Sequence, residues 1–116
     1  MRNFKIYDFW RDSMNLAKSI YQLTNTFPKY DAIINQMQRA AISILSNIAE
    51  GSSRTSIIEF ARFLEISVGS AYELETQIEL SHMLKYINDN EHDSIIKNIN
   101  SIERRLSSFI KKLRTQ

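Results

Sequence analysis

The chain contains no cysteine. Disulfides, thiolate metal sites and a cysteine nucleophile are therefore excluded, and the absence fits a reducing compartment. Glycine and proline are almost missing, with Gly 2 and Pro 1 in 116 residues. All-β folds need many turns built from those residues, so long helices with few connections are expected. No apolar run approaches the roughly 18 residues of a membrane span. The segment Met1-Arg2-Asn3-Phe4-Lys5 has neither an apolar stretch nor a small-residue cleavage site, so no secretory signal is expected. A glycine-rich phosphate loop, a histidine-based triad and a nucleophile elbow are all lacking. A cytoplasmic protein without membrane contact, cofactor or enzymatic activity is the expectation.

What remains is ordinary for a globular chain: 43% hydrophobic and 24% charged residues, with a net charge of +2. A chain of 116 residues is expected to form one domain over its whole length, 1–116. Mild basicity permits nucleic-acid contact without demanding it.

Apolar periodicity divides the chain into four helices. The first is expected from about Ile6 to Thr24, with Ile6, Phe9, Trp10, Ala17, Ile20 and Tyr21 on one face. It should stop before Pro28, because the residue preceding proline is pushed out of the α region. The second spans about Asp31 to Glu50. Ile34, Met37, Ala41, Ile44 and Ile48 alternate spacings of three and four, and further apolar residues imply burial on more than one side. Gly51 fits a left-handed residue just past its end. The third runs from about Ser56 to Leu84, opened by Ser56-x-x-Glu59 with Ser53 or Thr55 as rival caps. Its seam is small at Ser67 and Ala71, and a packing reason is expected for mid-helix Gly69. The fourth runs from about Glu91 to Leu113, with Ile95, Ile99, Ile102, Leu106, Phe109 and Leu113 inward. Four helices with short loops give an all-α, antiparallel up-down-up-down bundle.

Several constellations could carry function. On the fourth helix Lys97, Arg104 and Lys111 lie seven apart, opposite the apolar seam, flanked by Arg105 and Lys112. They form either a solvated face or a phosphate-contacting stripe. Glu79-x-x-His82 matches half of a di-iron carboxylate signature. The other half is not found, and His92 falls at a turn, so no metal site is expected. Glu73, Glu75 and Glu79 are read as exposed carboxylates rather than an acid–base pair. Asn47, Glu50, Gly51, Ser52, Ser53 and Arg54 are read as a structural turn held by caps and a Glu50–Arg54 ion pair.

The run Asn47-Ile48-Ala49-Glu50-Gly51, followed by Glu59-Phe60, Phe63-Leu64, Gly69-Ser70 and Glu73-Leu74-Glu75, resembles the four-helix-bundle proteins encoded by intervening sequences of 23S ribosomal RNA genes. The resemblance extends from Trp10 through Tyr21 and Phe27-Pro28 to the last helix. It departs at Leu45, where the family usually has proline, and at Asp31-Ala32-Ile33-Ile34, where a Glu and a Gly-Leu pair are common. The family is similar to the accessory protein of diversity-generating retroelements, a pentameric ring with a basic surface that binds nucleic acid and a reverse transcriptase. The resemblance thus implies a ring-shaped homo-oligomer, a homopentamer first, and no catalytic residues.

Three functions follow as expectations. An oligomeric bundle could bind RNA or DNA through Lys97, Arg104, Arg105, Lys111 and Lys112. The alternative is a protein-interaction scaffold or adaptor with a protein partner and no nucleic-acid role. A metal-dependent oxidase rests on Glu79-x-x-His82 alone.

Overall fold

The computed structural model describes residues 2–116. A single turn of 3-10 helix, Phe4–Ile6, leads into four α-helices: α1 (Asp8–Thr24), α2 (Ala32–Ser52), α3 (Ile57–Met83) and α4 (Asp89–Arg114). Each helix packs on its chain neighbours, and α1 closes the circle against α4. Diagonal helices keep their Cα atoms more than 8 Å apart among the described residues, so the order is the up-down-up-down bundle expected from the four periodic segments. The molecule is a rod of 45 × 22 × 19 Å.

Local chemistry sets the helix starts. Asp31 caps α2 by accepting from the Ile33 amide at 3.0 Å, Ser56 caps α3 through the Glu59 amide at 3.3 Å, and Asn88 and Glu91 form a reciprocal capping box on α4. These bonds satisfy donors that have no partner within the helix. The α4 start lies at Asp89, earlier than the periodicity alone suggests, because the capping box supplies an entry ahead of the first apolar residue.

The core runs the length of the rod. Ile20, Met37, Ile44, Ile48, Phe60, Leu64, Leu74, Ile78, Ile99, Ile102 and Leu106 are almost wholly removed from solvent. Two faces differ from expectation. Ile6, expected to open the first helix, instead lies in the 3-10 turn and is 65% exposed, and on α1 Tyr21 is 42% exposed while Ser13, Leu16, Leu23 and Thr24 are buried. Ser13 and Thr24 are tolerated there because their hydroxyls donate to the carbonyls of Phe9 and Ile20 one turn earlier. On α3, the small seam faces α2. Ser67 donates to the Ile44 carbonyl at 2.8 Å, and the Ser43 and Ser70 hydroxyls meet at 2.7 Å. Small side chains here bring α3 close enough for a serine hydroxyl to reach the α2 backbone.

Both glycines behave otherwise than expected. Gly51 has no positive φ and lies inside the last turn of α2. Its role is steric: a Cβ there would sit 2.7 Å from Phe63 Cβ and 3.1 Å from Phe60 Cδ1. The left-handed assignment is thus corrected, since the crossing of α2 and α3, not a turn, requires the missing side chain. Gly69 is exposed, and nothing lies within 4 Å of a Cβ built there, so it serves no packing within the chain. The left-handed positions are Tyr30 (φ 68°) and Lys85 (φ 63°), in the α1–α2 and α3–α4 connections.

Candidate functional site

The cations of α4 do not form one surface. Lys97, Arg104 and Lys111 lie exposed on its outer side, spaced over about 21 Å of helix. Lys112 is also exposed, and none of these four makes an ion pair among the described residues. Arg105 differs. Its guanidinium reaches across to α1 and pairs with Asp12 at 2.6 Å, while its Nε donates to the Ser101 carbonyl at 3.3 Å. Arg105 therefore ties α1 to α4. Arg114 does the same on the other side, pairing with Glu65 of α3 at 2.7 Å. That guanidinium holds the Glu65 carboxyl below the usual range, and Arg114 is raised in return.

Two grooves border α4. The α3–α4 groove is apolar, formed by Val68, Gly69, Tyr72 and Ile110 with Lys111 and the Glu65–Arg114 pair at its edge. The α1–α4 groove is polar, lined by Asp12, Asn15, Ser19, Asn98, Ser101 and Arg105. Exposure of α3 continues beyond the groove: Ile58, Ile66, Leu80 and Met83 project into solvent, at 81% for Ile58 and 78% for Met83.

Glu103 has no place in the expected pattern. It is only 7% exposed. Asn100 donates to its Oε1 at 3.0 Å and to Glu75 Oε1 at 3.1 Å, while Glu103 Oε2 has no partner. Burial first, then the neighbouring Glu75 carboxylate, pushes the Glu103 carboxyl up to about 7. Sequence periodicity places position 103 next to the seam, but only the packing of α3 shows that a second carboxylate faces it.

The turn between α2 and α3 holds its polar residues locally. Arg54 pairs with Glu50 at 3.1 Å and its guanidinium lies 4.7 Å from the centre of the Phe63 ring. Ser52 and Ser53 donate to the carbonyls of Ala49 and Glu50, each at 2.6 Å. Asn47 donates to the Ser43 carbonyl at 2.8 Å, a full turn back inside α2. Arg2 donates to the Arg54 carbonyl, with its guanidinium over the Phe60 ring at 4.6 Å. These side chains close on the protein itself.

At the opposite end of the rod, the α3–α4 corner gathers Glu79, His82 and His92. One ligating atom from each lies within 4.8 Å of the others. The two imidazoles stack at 4.2 Å between centroids. His82 Nε2 meets Asp89 at 2.7 Å, His92 Nδ1 meets Asp93 at 2.8 Å, and His92 Nε2 contacts Glu79. The hydrogen bonds with Asp93 and then Glu79 raise the His92 pKa. This is not the di-iron arrangement, which would lie within the bundle. The expectation set His92 apart at a turn, but α4 begins at Asp89 and carries it back over Glu79.

The fold accords with known proteins. The family described as 23S rRNA-intervening sequence protein matches residues 5–108. A solved structure from Bacteroides thetaiotaomicron VPI-5482, a protein with unknown function from the S23 ribosomal protein family, is 28% identical and superposes with a TM-score of 0.83. The match covers 89% of this chain and 98% of that one. No curated protein matches. The chain belongs to the 23S rRNA-intervening sequence protein family.

Proposed function

We propose that this 23S rRNA-intervening sequence family member is a non-enzymatic, self-associating bundle that binds RNA or DNA phosphates through the outer face of α4. The carrying observation is the row Lys97, Arg104 and Lys111, solvent-facing and without ion-pair partners among the described residues. Cations already paired lose little by staying where they are; unpaired ones gain by displacing counterions from a phosphate backbone. Arg105 falls outside the contact set because Asp12 neutralises it. Lys112 lies at the margin, beside a recess that faces α1. The chain acts as one domain, and repetition of the row in an oligomer, a ring of five first, would multiply a modest charge of +2.

The test is fluorescence anisotropy of labelled structured RNA and duplex DNA at low and near-physiological salt. Saturable binding that persists at the higher salt is expected. The double variant Arg104→Glu, Lys111→Glu should weaken it about tenfold or more and flatten the salt slope by about two. Unchanged affinity removes the row from the site.

A second function, a scaffold for a protein partner, is favoured by a separate observation. Ile58, Ile66, Tyr72, Leu80 and Met83 leave α3 with an apolar exterior, beside a groove floored by Gly69. Exposed apolar surface of this kind marks association. Light scattering that returns a monomer at micromolar concentration would contradict self-association. Absence of nucleic-acid binding together with an oligomer would favour the scaffold.

A further inference from the structure

We propose that Glu79, His82 and His92 form a mononuclear zinc site that clamps the end of α3 to the start of α4. Two imidazoles and a carboxylate are a donor set that suits Zn²⁺, which is held by nitrogen and oxygen at about 2.0–2.2 Å and accepts a fourth ligand or water. The three donors come from two helices and already lie within 4.8 Å of one another. Glu79 is exposed and the His82 side chain is 34% exposed, so both have room to turn toward an ion.

The ring orientations carry the inference further than the cluster alone. In metal centres, a ligating histidine commonly offers one nitrogen to the ion and its other to a carboxylate, which fixes tautomer and angle. Both histidines are held in that manner. Asp89 bonds His82 at Nε2, leaving Nδ1 free, and Asp93 bonds His92 at Nδ1, leaving Nε2 toward Glu79. The His92 side chain is only 16% exposed, so the ring is held between the two helices. The rings stack at 4.2 Å with 21° between their planes.

Charge at the corner has the right sign. Glu79, Asp89 and Asp93 contact the rings, and a divalent ion would neutralise most of that negative charge. Glu91, nearby, is not available as a ligand because its carboxylate accepts from the Asn88 amide in the capping box. Lys85, in the connection, is exposed and borders a recess shared with His82 and Asp89. The ligands enclose the α3–α4 connection, so an ion bound to all three would link the helices independently of the core.

Tag-free protein, stripped with chelator and dialysed, is titrated with ZnCl₂ by calorimetry, with bound zinc counted by mass spectrometry. One zinc per chain is expected, with a melting temperature raised by about 5 °C or more at saturating zinc. His82→Ala and His92→Ala should each abolish stoichiometric binding. Asp93→Asn should keep the stoichiometry and weaken affinity about 10–100-fold. Cobalt(II) in place of zinc should give the visible absorption of a four-coordinate site, lost in the same variants. Circular dichroism of each variant verifies that its helices are retained. Absence of stoichiometric binding to the parent overturns the proposal, and so does binding that survives in the folded His82→Ala, His92→Ala double variant.

Discussion

The two ends of the bundle are closed by different chemistry. At one, where α2 ends and α3 begins, Tyr7, Phe9, Phe60 and Phe109 pack ring against ring, with centroids 5.1–6.3 Å apart. The Arg2 guanidinium covers Phe60 from outside. At the other, Phe27 packs on Tyr86, whose hydroxyl donates to Asp31 at 2.7 Å, and the histidine–carboxylate corner lies beside them. The first end is held by apolar area and shape, which respond little to pH or salt. The second is held by directional and ionisable contacts. The antiparallel pair α3 and α4 thus carries an apolar plug at one end, where α3 begins and α4 finishes, and ionisable contacts at the other.

Substitutions can break this contrast in order of effect. Phe60→Ala empties the centre of the aromatic plug and should cost about 3–5 kcal/mol by chemical denaturation, with the same loss at pH 5 and pH 8. A strong pH dependence would refute an apolar closure. Gly51→Val should come next, at about 1–3 kcal/mol, because the added side chain must displace Phe63 and Phe60. Gly51→Ala should already be destabilising; if it were neutral, the close approach would not be the reason for glycine.

Between the ends, Glu103 gives the opposite signature. Unfolded, its carboxyl ionises near its ordinary value; folded, it keeps its proton to about 7. The folded state therefore holds the extra proton, so stability falls as pH rises between those values and the loss is complete above 7. Glu103→Gln cannot ionise and should gain about 1–3 kcal/mol at pH 8 and nothing near pH 4. Equal melting temperatures for variant and parent at pH 8 would show that the burial is relieved.

The smallest effect belongs to the ionisable end. Tyr86→Phe removes the hydrogen bond that holds Asp31 below the usual aspartate range. The stability from that lowered carboxyl is present above the ordinary aspartate value and lost in stronger acid. The melting temperature of Tyr86→Phe should thus fall slightly at pH 7 and approach the parent's at pH 3. A difference that widens in acid would contradict the assignment.

Helix number, order and most inward positions were legible because a 3.6-residue repeat must turn one face inward whatever surrounds it. Ser56 as the α3 cap and the Glu50–Arg54 pair were legible too, since both are contacts within one turn of chain. The cation row of α4 was legible as a spacing. That Arg105 is neutralised by Asp12 was not, because the two lie 93 residues apart in sequence. The corner of Glu79, His82 and His92 was half visible: the first two share a helix face, while the third reaches them only through the turn.

The sequence by itself determined an all-helical chain, its four segments and the family to which it belongs, because these rest on local periodicity, capping and a motif read along the chain. The tertiary structure alone decided what the glycines are for. Both lie in α-helix, Gly51 against Phe63 and Phe60 and Gly69 facing solvent, while Tyr30 and Lys85 take the left-handed conformation that their residue types disfavour. It also decided that Glu103 is buried beside Glu75 and that two histidines stack. Each depends on the distance between helices, which no spacing along one helix can specify.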